Sequence, residues 1–402
     1  MKVLGITAEY NPFHNGHKYH LQRSMEETGA DFCVAVMSGN FTQRGEAAIL
    51  DKWSRSRIAV ENGIDLVVEL PFIFACNRAE IFAAGAVDIL MGLGATHISF
   101  GSEKGDIGSL KSLAADMQAH EGELGEIRQE AMKAGCSYAK GSFTAAQRLF
   151  GKERAALMLE PNNILAIEYL KRLMYHEERG RAAAAVTVKR YGSGYFEENR
   201  SMGFAGASVI RNLISEGRFP DAKQYVPENT AKAVEKAGTQ AQVYENIFQL
   251  VRADIVKRSS SELSGIYCMG EGIENKFKKE IIAADNYKQL VTAVVSGRYT
   301  EAAVRRLMIY IMLGIKKNRE KHSAVYGRVL AAGEKGRSLL KELKRREIAS
   351  IPIITNINKE AQHNEHVRET LEYDILASDM YNIINNRSMY LYSDKVIKPY
   401  IK

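Results

Sequence analysis

Long apolar runs are missing from this 402-residue chain: no stretch reaches the roughly eighteen consecutive apolar residues that a membrane-spanning helix requires. The opening MKVLGITAEY has no basic start, long apolar middle or small-residue cleavage site, so it does not read as a secretion signal. The expected address is the cytoplasm, with no membrane partner. Cysteine is sparse as well. Cys33, Cys76, Cys136 and Cys268 stand far apart with no CxxC pair, which excludes a disulfide framework and leaves ordinary buried or half-exposed thiols. No internal repeat, low-complexity tract or carboxylate cluster that would mark a protein-held metal site is visible. What the chain does have is 46% apolar residues, enough to fill real cores, and a length beyond one typical domain.

The net charge of +7 is unevenly spread. Residues 1–150 carry 14 Lys/Arg against 18 Asp/Glu, and residues 251–402 carry 27 against 18. Within the latter, residues 301–350 hold 13 basic and 5 acidic side chains, in Arg305-Arg306, KKNREK (316–321) and KELKRRE (341–347). A solvated helical face could account for any one of these runs. Their concentration in one third of the chain favours an electrostatic footprint for a polyanion, nucleic acid in particular.

The periodicity divides the chain in the same way. VLGITA (3–8), FCVAVMS (32–38), DLVVEL (65–70) and THISFG (96–101) are short apolar or β-branched runs bounded by Gly, Asp or Pro, and helical stretches separate them. VTVKR (186–190) follows the helical PNNILAIEYLKRLMYHEERG as a fifth strand. This alternation predicts an α/β fold: a Rossmann-like, doubly wound parallel sheet that forms a nucleotide-binding domain over residues 1–190. A glycine-rich loop is expected over 191–210, then a mostly α-helical, basic domain over 211–402, interrupted by a short strand or loop at IASIPIITNIN (348–358).

The stretch EYNPFHNGHKYHLQRS lies directly after the first strand and contains three of the nine histidines within seven positions. In an open parallel sheet, ligands bind beyond the carboxyl ends of the strands, where loops lead into helix N-termini. Pro12 stiffens the loop, Gly16 permits close backbone approach, and the helix beginning near Gly16 offers free N–H groups to phosphate. His14 and His17, three apart, fall beside that anion site. There they can donate hydrogen bonds to phosphate oxygens and stabilise the charge that develops when an α-phosphate is attacked. A zinc site using His20 as a third ligand has no acidic or thiol partner at a matching spacing. His20 itself, one turn further along, reads as a structural residue.

The segment HNGH resembles the HxGH signature of the nucleotidyltransferase superfamily, which includes class I aminoacyl-tRNA synthetases and the adenylyltransferases of cofactor synthesis. The latter usually show GxFDPxHxGH, whereas this chain has TAEYNP, with Asn11 where Asp is usual. GITAEYNPFHNGHKYHL, VAVMSGNFTQRGEAAILDKWSR, GIDLVVELPFIFA, AEIFAAGAVDIL, ISFGSE, PNNILAIEYL, SGRYTEAAVRRLMIYIMLGI and IPIITNIN together resemble the bacterial tRNA(Met) cytidine acetate ligase family, from residue 3 to about 358. The resemblance implies a two-step reaction. ATP and acetate give acetyl-adenylate and pyrophosphate. The exocyclic amine of the wobble cytidine of elongator tRNA(Met) then takes the acetyl group, yielding N4-acetylcytidine and AMP. ATP is thus the implied co-substrate, accompanied by magnesium, and tRNA and acetate are the implied partners, with no obligate protein partner.

The resemblance also implies site residues. His14 and His17 are the catalytic pair. The nucleotide-binding segment runs through Thr7, Ala8, Glu9, Tyr10, Asn11, Pro12, Phe13, His14, Asn15, Gly16, His17, Lys18, Tyr19 and His20. Gly101, in FGSE, would admit the adenine or ribose, although a simple turn glycine explains it equally well. One of Asn162 and Asn163 would bind the nucleotide, and one of them would cap the helix after Pro161 in any case. Lys189 and Arg190 would bring cations to the ligand edge of strand five. SVIRNL (208–213) resembles the superfamily's second phosphate signature without the usual preceding Ser/Thr, leaving Arg211 as the triphosphate candidate. Arg44, Lys52 and Arg55 could meet tRNA or ATP, or face solvent. Arg305, Arg306, Lys316, Lys317, Lys344, Arg345 and Arg346 are candidates for tRNA phosphate contacts, which position the RNA without reading its sequence. Two further readings stand beside this one: an adenylyltransferase acting on a small phosphorylated metabolite, and a non-catalytic RNA-binding protein. The basic C-terminal half speaks against the first and the intact HxGH against the second.

Overall fold

The structure is a computed structural model that describes residues 1–190, 203–237, 240–317, 326–360, 364–387 and 391–402. Its centre is a mostly parallel sheet. Strands β1 (Val3–Ala8), β2 (Phe32–Ser38), β3 (Leu66–Leu70), β4 (His97–Ser102) and β5 (Ala184–Lys189) stand in the order β5-β4-β1-β2-β3. All four neighbouring pairs are parallel, with Val3 opposite Phe32 and Leu4 opposite His97. β2 and β3 are almost wholly buried, because a parallel sheet covered on both faces needs near-continuous apolar strands. These five strands fall within two residues of the runs predicted from sequence.

Helices cover both faces. α1 (Asn15–Thr28) and α2 (Lys52–Glu61) bury Leu21, Ile58, Ala59 and Val60 against one face. α3 (Ala79–Gly92) and α4 (Pro161–Glu177) bury Phe82, Val87, Leu90, Ile167 and Leu170 against the other. α5 (Ala207–Ser215) returns to the first face through Ile210, Leu213 and Ile214. The glycine-rich loop expected over 191–210 falls mainly on 191–202, outside the described residues, and its end already belongs to α5.

α6 (Gln240–Lys257), α7 (Tyr287–Val294) and α8 (Glu301–Leu313) build a second core around Ile247, Val251, Leu290, Leu307 and Ile311. This core is not closed off from the first part of the chain, because Phe41, Phe72 and Cys76 are buried within it. Within the mostly helical 211–402 the chain then goes back to the sheet, with one strand in the expected 348–358 stretch and two more outside it. β6 (Gly327–Ala332) pairs antiparallel with β3, β7 (Ile353–Ile354) pairs with β6, and β8 (Tyr400–Ile401) also pairs with β6. α9 (Glu334–Arg345) buries Leu339 and Leu343 on the α3 face, and α10 (Glu365–Ile384) sends Ala377, Tyr381 and Ile384 into the helical core. GRVLAA is fully buried, Arg328 included, yet its apolar part VLAA is only four residues long and lies inside the most basic fifty residues of the chain. Charge in the flanking helices masks so short a strand. No helix among the described residues is long and apolar enough to cross a membrane.

Candidate active site

In this sheet the strand order runs one way from β1 through β2 to β3 and the other way from β4 to β5. β1 and β4 therefore flank the switch point, and the loop after β1 lies at the crevice where such sheets bind ligands. That loop is held from below. Arg55 is fully buried, and its guanidinium donates to the carbonyls of Leu50 (2.9 Å), Glu9 (2.6 Å), Ser38 (3.1 Å) and Gly39. The Asn11 side-chain oxygen accepts from the Ile49 amide at 2.8 Å, and a carboxylate oxygen of Glu9 accepts from the Gln43 amide at 2.8 Å. Asn11–Pro12 is a cis peptide. Ala8, Tyr10, Pro12 and Phe13 are buried, and the Tyr10 and Phe13 rings pack 4.9 and 5.5 Å from that of His17.

His14 precedes the first residue of α1 in an extended conformation. Its backbone N–H donates to Nδ1 of His17 at 3.2 Å, and the two rings stack at 3.6 Å between centroids, 23° from parallel. With Nδ1 accepting, neutral His17 carries its proton on Nε2. His14 is 3% exposed, and among the described residues neither of its ring nitrogens has a hydrogen-bond partner. A buried polar ring without a partner is costly and points to a missing ligand. Burial, then Arg190 and Arg211, lowers the His14 pKa to about 3, and burial, then His14 and Arg190, holds His17 well below its ordinary value. Both rings are thus neutral near pH 7, with two guanidinium groups nearby.

Arg211 and Arg190 approach from opposite ends of the sequence segment. Arg211, on α5, donates through Nη1 to the Asn11 carbonyl at 3.1 Å, and its Nη2 lies 3.2 Å from a Glu46 carboxylate oxygen. Arg190 follows β5 and donates to the Asn162 side-chain oxygen at 3.2 Å. Gly101 makes room for it: a Cβ there would meet Cγ of Arg190 at 2.8 Å. Lys189 is exposed at the strand end, with its stem against Gly105.

Neither Asn162 nor Asn163 caps α4, contrary to expectation. Pro161 is the first helical residue, and the free amides of Asn162 and Asn163 donate to the Glu103 carboxylate at 3.4 and 3.0 Å. The side-chain oxygen of Asn163 in turn accepts from the amides of Glu103 and Lys104. A carboxylate from the β4 end satisfies the helix N-terminus, where an anion is electrostatically favoured. Thr7 neighbours the hydroxyl of Tyr169, and Asn15 donates to the carbonyls of Gly203 and Gln224. Lys18 is exposed, and the Tyr19 ring lies 5.6 Å from that of Phe204. His20 is partnered: its Nε2 is 3.0 Å from Ser99 Oγ, and burial lowers its pKa to about 4.

Two cations offered to ligand or solvent, Lys52 and Arg55, are buried, and two more, Arg305 and Arg306, are partly engaged by the protein itself. Lys52 is fully buried, 2.7 Å from both Glu69 and Asp394, and Arg55 is consumed by carbonyls, so only Arg44 of that trio is exposed. Arg305 binds Glu46 at 2.5 Å, and Arg306 donates to the Gln43 carbonyl at 3.0 Å. Both hold α8 against the loop between β2 and α2. Lys316, Lys317, Lys344, Arg345 and Arg346 are exposed. Glu46 and Glu103 were missed as site-shaping residues, although QRGEAAIL and FGSE had marked their loops. Among the described residues, no three His, Cys, Asp or Glu side chains gather as a metal site.

The family model described as HIGH Nucleotidyl Transferase matches residues 1–395. A tRNA(Met) cytidine acetate ligase of Thermoanaerobacter sp. is 39% identical over 395 residues, covering 96% of each chain. The protein of the same name from Bacillus licheniformis is 35% identical over 95% of this chain and 92% of its own. The crystal structure of Thermotoga maritima TmcAL bound with alpha-thio ATP superposes with a TM-score of 0.88 at 30% identity, covering 100% of this chain and 99% of that one. With its HNGH loop at the switch point of the sheet and relatives alike over nearly their whole length, the chain belongs to the tRNA(Met) cytidine acetate ligase family of HIGH nucleotidyl transferases.

Proposed function

We propose that the protein is an ATP-dependent ligase that acetylates N4 of the wobble cytidine of elongator tRNA(Met). The observation that carries this reading is the stacked, neutral His14–His17 pair, with unpartnered ring nitrogens on His14 and with Arg190 and Arg211 beside it. ATP is the co-substrate, with its magnesium ion arriving on the phosphates. An acetate oxygen attacks the α-phosphorus, the bond to the bridging oxygen breaks, and pyrophosphate leaves. Charge accumulates on the phosphate oxygens during that step, and Nε2–H of His17, the His14 ring and the two guanidiniums stabilise it. The cytidine amine then attacks the acetyl carbon, AMP departs, and the amine loses a proton. The exposed Lys316, Lys317, Lys344, Arg345 and Arg346 are the tRNA-phosphate candidates, and the cytoplasm is where ATP and tRNA are both at hand.

Incubation with ATP and labelled acetate, with and without bulk tRNA, is the direct test. Label should appear as acetyl-adenylate and then in tRNA; adenylation of another metabolite with unlabelled tRNA would refute the reading. His17→Ala should reduce acetate-dependent ATP–pyrophosphate exchange by about 10²–10³-fold while leaving tRNA binding intact. Equal loss of both would assign that histidine a folding role instead. Binding to tRNA should weaken steeply with salt.

A further inference from the structure

Sharing Arg211 with the histidine loop is a cavity of about 880 Å³ whose other walls the adenylation step leaves unassigned. Its walls come from both parts of the molecule: Glu46 and Arg211 from the α/β part, Tyr244, Asn286, Tyr287 and Arg305 from the helical part. None of the three histidines lines it. Arg211 links the two places, because one of its nitrogens bonds the Asn11 carbonyl in the histidine loop and another bonds Glu46 in the cavity wall. A second cavity, about 300 Å³, is at Thr96 and Ala184, at the ends of β4 and β5 remote from the histidines.

We propose that the larger cavity is the acceptor site, which receives the flipped-out cytidine base of the tRNA; this deepens the ligase reading above and rests on it. Four features carry the assignment. The volume lies within the range of nucleoside and small-molecule pockets and is many times what a two-carbon acid needs. The rings of Tyr244 and Tyr287 meet at 4.9 Å between centroids, 45° apart, an aromatic wall of the kind on which unstacked bases lie. Among the described residues, the buried hydroxyl of Tyr287, a residue 8% exposed, and Nε of Arg305 have no hydrogen-bond partner. Finally, the charges in the wall cancel, Glu46, Glu245 and Glu301 against Arg211, Lys288 and Arg305, with Glu46 and Glu301 both paired to Arg305, so the interior suits a neutral heterocycle rather than a phosphate. A base held there is next to the loop at which the acyl group is made, which transfer of the acetyl group to its amine requires. An enzyme that modifies a base must take it out of the stack, and a pocket with an aromatic wall repays that cost.

Two variants and one cross-link test the proposal. Tyr287→Phe removes only the unpartnered hydroxyl and Tyr244→Leu removes one ring; each should lower kcat/KM for tRNA acetylation by about tenfold, with acetate-dependent ATP–pyrophosphate exchange at the wild-type rate. An anticodon stem-loop RNA with 5-bromocytidine at the wobble position, irradiated with the wild-type protein, should cross-link to peptides containing Tyr244 or Tyr287. Unchanged acetylation in both variants, parallel loss of exchange and acetylation, or cross-links confined to other peptides would overturn the assignment. If the wild type lacks acetate-dependent exchange, the ligase reading fails; cross-linking to Tyr244 or Tyr287 would still support a base-binding cavity.

Discussion

Gly16 has no side chain because the ring of His14 occupies that space: a Cβ would lie 2.9 Å from Cε1 and 3.0 Å from Nδ1. Gly16→Ala should therefore separate stability from activity. Alanine is the better helix former by up to about 1 kcal/mol, so the melting temperature should hold or rise, while acetate-dependent exchange falls at least about tenfold as His14 is displaced. The neutral histidines bear a second consequence. Burial brings the pKa of His14 to about 3 and that of His20 to about 4, below their ordinary 6.5. Below pH 6.5 the unfolded chain binds protons that the folded one refuses, so stability present above that pH is lost as pH falls. The urea midpoint should decline from about pH 6.5 down through about pH 4 toward pH 3, and His14→Asn combined with His17→Asn should make the decline shallower, with His20 keeping its share. At this scale the sequence was readable where spacing carries chemistry. HNGH put His14 and His17 in one loop, where the two rings stack, whereas the side chain of His20 bonds Ser99 on β4, a partner 79 positions away. Glu103 and Glu46 were not readable, because their role depends on partners 59 and 259 positions away.

At the scale of elements, the segment between β2 and α2 is a clamp for α8. Gly45 adopts φ of +74°, and a Cβ on it would meet the backbone nitrogen of Arg306 at 2.5 Å. Arg305 and Arg306 reach back to Glu46 and to the Gln43 carbonyl. Gly45→Ala combines left-handed strain with a backbone clash, so it should cost about 1–3 kcal/mol in urea unfolding and loosen the helical part from the sheet. Increased proteolysis between the two parts, with the sheet itself protected, is the accompanying readout. The sequence suggested that Arg305 and Arg306 would meet tRNA because basic charge is concentrated in the last third of the chain. What engaged two of the seven candidates was the loop between β2 and α2, through Glu46 for Arg305 and the Gln43 carbonyl for Arg306, a meeting that no periodicity encodes. The strand runs, by contrast, were legible because parallel strands buried on both faces must be apolar along their whole length.

Across the whole molecule, residues near the C-terminus complete the centre of the sheet. Lys52 on α2 and Arg328 on β6 share Glu69 on β3 and Asp394, with separations of 2.7, 2.7, 2.8 and 3.1 Å. Asp394 is buried, which would raise its pKa, yet Arg328 and Lys52 hold it below the ordinary carboxylate value. Asp394→Asn leaves two buried cations short of a charge, and should cost about 3–5 kcal/mol in urea unfolding, although the residue touches neither nucleotide site nor acceptor cavity. Sequence by itself determined the strand runs, the phosphate loop and the concentration of basic charge, since each depends on neighbours a few residues apart. Only the tertiary structure decided which cations are spent inside, that β6 rejoins the sheet beside β3, and that distant segments line a cavity joined to the histidine loop through Arg211. Those outcomes are set by which buried charges find partners, and pairing of that kind is decided by contacts across hundreds of residues.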